Sequence, residues 1–384
     1  MKKICVITGT RAEYGILNRL MHLINDDNEL SLQIIVTNMH LSPEFGLTYR
    51  EIEADGFTIN KKVEMLLSSD TPNAITKSVG LAVIGFADAI EDLKPDLIIV
   101  LGDRFEILAA VTASLFYKIP VAHLHGGEIT EGAFDNSIRH AITKMSHLHF
   151  TSTEEYRKRV IQMGENPEDV YNVGALGCEN ITSIKLMGKD ELEKSMNFAF
   201  DRKTILVTFH PETLESISAK EQFEVLLEAI SGCNDIKVIF TMPNSDTDGR
   251  IIINMITQFV EKNQPQMIWF HSLGAIRYLS VLQYIGAVVG NSSSSIIEVP
   301  SFHIPTINIG NRQKGRIAAK SVINCKLKKE DIQKELNLVL NDEYRRSLVH
   351  IKNPYYKLNT AQEILNIIKH RSLSNIIKEF HTIN

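Results

Sequence analysis

Two doubly wound α/β domains with parallel sheets, facing each other across a cleft, are the architecture this sequence predicts. Three observations predict it. At 384 residues the chain is longer than one typical domain of roughly 150 residues. Short runs rich in Val and Ile alternate with longer stretches of helical period, the pattern of βαβ units. Glycines, serines, histidines and carboxylates out of keeping with a core gather just after those runs. Sheets of this kind bind ligands there, at the carboxyl ends of their strands.

In the first half, residues 3–8, 32–37, 96–101, 121–125 and 147–151 read as strands, each short, apolar and rich in β-branched residues. Helical periodicity fills the intervals near 13–24, 74–93, 104–117, 135–145 and 154–163. A second series begins with strands at 204–209, 237–241, 267–270, 287–289 and 306–309, separated by helices near 220–231, 250–261 and 275–284. Two glycines and a break in pattern between Gly174 and Asn180 mark the boundary. The expected domains are therefore 1–178, joined by a C-terminal helix at about 365–384, and 179–364. Repeats and low-complexity tracts are absent.

Composition narrows the function classes. Lys and Arg number 41 against 46 Asp and Glu, so the formal net charge is −5 and no nucleic-acid or anionic-membrane attraction is implied. The four cysteines (Cys5, Cys178, Cys233, Cys325) show no C-x-x-C pair, as expected of reduced core residues in a cytoplasmic protein. No stretch reaches the ~18 apolar residues of a membrane span. The nearest, residues 81–90, is broken by Asp88 and Glu91.

Four segments carry chemistry. Gly9-Thr10-Arg11-Ala12-Glu13-Tyr14-Gly15 follows the first strand and opens a helix, where amides and the Arg11 fork suit a diphosphate. A tight turn with a solvated arginine explains the same residues. Asn291-Ser292-Ser293-Ser294-Ser295 forms a second strand-to-helix turn, either a helix cap or a phosphate site, with Glu298 one turn on suited to a ribose diol. Two such turns suggest one nucleotide diphosphate bridging the domains. Asp103 and Arg104 end a buried strand, and His123, His125 and Glu128 end the next, with alternation placing both histidines on one face. Asp135 opens a helix, as a cap paired to Arg139 or as a catalytic acid, and His210 comes from the second domain. The two His-x-His pairs, His123 with His125 and His147 with His149, have zinc-ligand spacing, but no cysteine joins them and no third ligand is evident, so no metal is expected. Carboxylates and histidines beside a diphosphate site favour acid–base chemistry on a nucleotide-linked substrate.

Taken in order, these segments resemble a known family. Gly9-Thr10-Arg11, Leu101-Gly102-Asp103-Arg104, His123-x-His125-Gly126-Gly127-Glu128, Asp135-x-Ser137-Ile138-Arg139-His140, His210-Pro211, Gly290-Asn291-Ser292-Ser293 and Arg312-Gln313-x-Gly315-Arg316 look like those of the hydrolysing UDP-N-acetylglucosamine 2-epimerases of sialic acid biosynthesis. The resemblance runs from residue 1 to about 368. It implies two Rossmann-like domains of the GT-B type, UDP in the cleft, no cofactor, and a homodimer or homotetramer. It implies that UDP leaves UDP-N-acetylglucosamine by anti elimination, and that water adds to 2-acetamidoglucal to give N-acetylmannosamine. By the same resemblance Asp103, Asp135 and Glu128 are catalytic, with His210. Arg11, Arg104, His210, Asn244, Ser292, Ser293, Glu298 and Arg312 hold UDP. Many relatives carry Glu where this chain has His125, which leaves the proton transfers to His125 or to the aspartates. A UDP-N,N′-diacetylbacillosamine epimerase and a UDP-sugar sensor without turnover are the competing readings.

Overall fold

The computed structural model describes residues 1–212, 214–215, 217–233, 235–244, 248–372 and 376–383. The chain divides into two compact units. The first comprises Met1–Glu128, Asp135–Asn180 and Tyr355–Asn384, and the second Ile129–Phe134 and Ile181–Pro354. The division differs from the sequence expectation in three ways. It falls at residue 180, the six residues 129–134 count with the second unit, and the chain returns to the first at 355.

The first unit runs β1 (Lys2–Thr8), α1 (Arg11–Asn25), β2 (Leu30–Thr37), α2 (Tyr49–Ala54), β3 (Lys61–Val63) and α3 (Pro72–Leu93). It continues through β4 (Leu97–Leu101), α4 (Phe105–Phe116), β5 (Val121–Leu124), α5 (Asp135–Met145), β6 (Leu148–Thr151), α6 (Glu154–Gln162), β7 (Val170–Asn172) and α7 (Leu176–Ser183). All its strand pairs are parallel, in the order β3-β2-β1-β4-β5-β6-β7. Strand alternation sorts the core: Ile4 and Val6 pack with α1, while Cys5 and Ile7 pack with α3 and α4 on the other face.

The second unit has α8 (Lys189–Met196), β8 (Thr204–Thr208), α9 (Ala219–Ser231), β9 (Lys237–Thr241), α10 (Gly249–Lys262), β10 (Met267–Phe270) and α11 (Gly274–Leu282). After these come β11 (Ala287–Gly290), α12 (Ser294–Ile297), β12 (Thr306–Ile309), β13 (Val322–Cys325), α13 (Lys329–Val339) and α14 (Asp342–Ser347). Its sheet is parallel in the order β10-β9-β8-β11-β12-β13. Both sheets thus reverse direction next to their first strand, between β1 and β4 and between β8 and β11. Such reversals open a crevice at the strand ends.

Two sequence expectations need correction. The C-terminal helix α15 is Thr360–His370 and packs on α1, rather than extending from 365 to 384. Beyond it, Lys378 donates to the carbonyls of Lys144 and Ser146, and the His381 amide to that of Gly164. These bonds hold residues 376–383 in irregular conformation, while residues 373–375 and 384 lie outside the described residues. The second correction concerns α3, whose 22 residues include an 18-residue stretch long and apolar enough, by length and composition only, to cross a membrane. One side of it, with Ala82, Phe86 and Ile90, is buried in the core of the first unit, as a sheet-covering helix requires.

Candidate active site

The first unit gathers its polar residues after β4 and β5. Gly102 turns the chain with φ 81°, and Asp103 and Arg104 lead into α4. β5 stops at Leu124, because His125 has φ 63°, a left-handed backbone uncommon for a residue with a side chain. The His125 amide donates to the Phe150 carbonyl at 2.8 Å, and its carbonyl accepts from Arg139 Nη1 at 3.0 Å. The two histidines expected on one face therefore part company. His123 stays in the strand, fully buried, with Nε2 2.7 Å from the Gly102 carbonyl and Nδ1 3.1 Å from Thr143 Oγ1. Burial lowers its pKa to about 3, so it is a neutral core residue that ties β5 to the Gly102 turn.

His125 is placed differently. Its Nδ1 lies 3.1 Å from Glu128 Oε1, which also accepts the Ser152 hydroxyl at 2.7 Å. An Nδ1–H donated to a carboxylate leaves the lone pair on Nε2. That nitrogen is buried and has no hydrogen-bond partner in the protein. Arg139, 3% exposed, lies 3.7 Å from Glu128 Oε2 and pairs through Nη2 with Asp103. One guanidinium thus joins two of the expected catalytic acids. Asp135 is the first residue of α5, not the residue before it, one turn ahead of Arg139.

At the end of β1 the amides of Gly9 and Thr10 are engaged by the chain's own acid. Glu13 Oε2 accepts both, at 2.8 and 3.2 Å, and Thr10 Oγ1 accepts the Glu13 amide in return. The sequence reading that left those amides to a phosphate is corrected by this capping box. Arg11 opens α1 with Nε 2.6 Å from Glu51 Oε2, and Arg104 Nε donates to Glu106 Oε1 at 2.7 Å.

In the second unit Asn291 organises the corresponding strand ends. Its Oδ1 accepts the His210 amide at 2.7 Å and its Nδ2 donates to the His210 carbonyl at 2.8 Å, locking that peptide after β8. The Asn291 carbonyl accepts Arg312 Nη1 at 3.2 Å and Gln313 Nε2 at 2.8 Å. Gly290 makes the approach possible: at φ 136°, a Cβ there would sit 1.9 Å from the Thr208 carbonyl oxygen. Ser292 and Ser293 follow, half-buried. Ser293 is the cap residue of α12 but makes no side-chain capping bond, which removes the main competing explanation for it. Glu298 is buried at the far end of α12, and the Tyr278 hydroxyl contacts Ser294 Oγ at 2.5 Å. Asn244 follows β9, half-buried, immediately before residues outside the described set.

Sequence reasoning missed Ser152, Glu106 and Glu212. Glu212 Oε1 accepts the amides of Asn311 and Arg312 at 2.9 and 3.2 Å, so it shapes the loop that carries Arg312; burial raises its pKa. The signal was available, since Glu106 and Glu212 each stand two residues beyond an expected ligand and Ser152 directly follows β6. Among the described residues no group of three His, Cys, Asp or Glu is arranged to hold a metal ion.

Fold and family together define a nucleotide-sugar epimerase built of two parallel-sheet α/β domains. A family model described as UDP-N-acetylglucosamine 2-epimerase matches residues 22–369, and the chain belongs to that family. It is 42% identical over 346 residues to a GDP/UDP-N,N′-diacetylbacillosamine 2-epimerase (hydrolyzing) of Campylobacter jejuni, covering 90% of this chain and 89% of that one. It is 40% identical over 389 residues to polysialic acid biosynthesis protein P7 of Escherichia coli, covering 100% and 98%. The crystal structure of a UDP-GlcNAc 2-epimerase from Neisseria meningitidis bound to UDP-GlcNAc has the same fold. The TM-score is 0.79 at 18% identity, over 97% of this chain and 100% of that one. The protein is a catalytic member of the hydrolysing nucleotide-sugar 2-epimerases.

Proposed function

We propose that this chain converts UDP-N-acetylglucosamine and water to N-acetylmannosamine and UDP, in the synthesis of sialic acid or capsule. The observation that carries the reading is His125. Its buried, unpartnered Nε2, with Nδ1 held by Glu128, is a proton acceptor fixed at a strand end of an epimerase. The sugar C2 proton is not adjacent to a carbonyl, so its acidity is low and cleavage of the C1–O bond leads. The bonding pair leaves with UDP while the C2 proton passes to His125 Nε2, leaving a C1=C2 double bond. Water then adds its oxygen to C1, and C2 takes a proton on the opposite face, with Asp103 and Asp135 as the acid and base of that step. Glu128 stabilises the imidazolium.

His210 belongs to both the catalytic and the UDP-holding sets. Arg11 and Arg104 offset the charge that develops on the leaving diphosphate. Asn244, Ser292, Ser293, Glu298 and Arg312 complete the UDP-holding set. A homodimer or homotetramer belongs to the same proposal.

The identity to the Campylobacter jejuni protein favours a second substrate, UDP-N,N′-diacetylbacillosamine. Incubation of the purified protein with each UDP-sugar, followed by NMR of the free sugar, separates the two. Release of N-acetylmannosamine supports the proposal. Release of a free sugar from the bacillosamine donor alone supports the second reading. No UDP from any donor overturns both.

A further inference from the structure

Two buried glutamates meet at the Gly9–Arg11 turn. Glu13 places Oε2 on the amides of Gly9 and Thr10 at 2.8 and 3.2 Å. Glu106, wholly buried near the start of α4, accepts Arg104 Nε on Oε1 at 2.7 Å. That same Oε1 lies against Gly9, where an added Cβ would stand 2.4 Å from it. One carboxyl thus holds the N–H of Gly9 while the other packs against its Cα. The second oxygen of each, Glu13 Oε1 and Glu106 Oε2, is buried and has no hydrogen-bond partner. Two ionised carboxylates would leave both of these oxygens unsolvated beside one cation, whereas a single proton relieves both the repulsion and the desolvation.

We propose that Glu13 and Glu106 hold one proton between them and act as positioning residues, Glu106 aiming Arg104 and Glu13 fixing the turn that carries Arg11. The inference rests on the reading of Arg11 and Arg104 as ligands of a diphosphate. Burial first, and then the charge of Glu106, raise the pKa of Glu13 to about 8, with Arg104 acting against them. The other charged or titratable groups around the turn are Arg11 with its partner Glu51, and His40, whose pKa burial lowers to about 4. Loss of the shared proton puts two anions against one guanidinium, so the turn and Arg104 no longer hold the geometry that receives the ligand.

UDP binding by calorimetry between pH 7.5 and 9.5 tests this. Wild-type affinity should fall above pH 8, by up to roughly tenfold per pH unit, the limiting slope for one linked proton. Glu13→Gln, permanently neutral, should lose that alkaline fall. Glu106→Gln should move that fall to lower pH, because the repulsion from Glu106 is gone while burial still raises the remaining acid, Glu13. A fall equal to wild type in either folded variant overturns the shared proton. Stability supplies a readout without UDP. A carboxyl whose folded pKa is raised contributes stability that is full below about pH 4.5 and is lost as pH rises to about 8. The difference in denaturation midpoint between wild type and Glu13→Gln should therefore change across that window, and a constant difference overturns the proposal. A wild type that binds no UDP at any pH overturns the diphosphate reading instead, and the stability comparison still judges the proton.

Discussion

A left-handed backbone costs a residue with a side chain about 1–3 kcal/mol, and at His125 it goes with the amide bond to Phe150, the carbonyl bond from Arg139 and the placement of the imidazole on Glu128. If that placement serves proton transfer, His125→Gln should lower turnover by roughly 10²-fold or more while UDP affinity, read by calorimetry, stays. His125→Glu should keep part of the rate, with its pH profile moved to the acid side, because carboxylates titrate below imidazole. A fully active His125→Gln enzyme leaves the proton transfers to Asp103 and Asp135. Asp135→Asn should also cost roughly 10²-fold in turnover, and a near-normal rate would return Asp135 to a capping role. The core imidazole His40 makes a prediction about stability. It sits between Thr8 Oγ1 and Thr48 Oγ1, and burial lowers its pKa to about 4. A histidine with a depressed folded pKa contributes stability that is present above about 6.5 and lost as pH falls toward 4. Denaturation midpoints should decline over that interval in wild type and less so in His40→Gln. Equal slopes would remove His40 from the account.

At the scale of the element, Asn291 shows what a strand end does. Asn291→Ala leaves the His210 N–H and C=O buried without their side-chain partner, at about 1–3 kcal/mol for each group. Unfolding of the second unit, followed by fluorescence of the single tryptophan Trp269 in β10, should shift by roughly 2–4 kcal/mol. An unchanged midpoint would mean that the β8 and β11 ends are held by their ladder alone. Legibility in the sequence follows the same division. The central strands announce themselves, since β4, β11 and β1 beyond Lys3 are buried on both faces and read as short apolar runs rich in Val and Ile. The strands missed are β3, β7 and β13, three or four residues each and all at sheet edges. Lys61 and Lys62 in β3 are what an edge requires and what hides it from a hydrophobic pattern. The proposed site residues were picked out in the sequence because strand-end chemistry stands out against apolar runs. Their partners were not, because Glu106, Ser152 and Glu212 act through hydrogen bonds set by tertiary packing.

For the whole molecule, surface composition carries the remaining expectation. α3 and α4 lie side by side, and Leu81 and Ile84, three positions apart on one face of α3, are exposed, Ile84 at 66%. Leu115, Phe116 and Tyr117 at the end of α4 are exposed as well, Phe116 at 76%. Scattered surface leucines need no explanation, but aromatic and aliphatic residues exposed on two adjacent helices are where the proposed subunit contact is best sought. A symmetric contact uses the same patch on both subunits, so a substitution there acts twice in each interface. Ile84→Lys with Phe116→Glu should leave the fold intact, since both side chains are exposed. If the proposed homodimer or homotetramer forms through this face, light scattering should then give a smaller assembly than wild type. Unchanged mass in the double variant would move the subunit contact off the α3–α4 face.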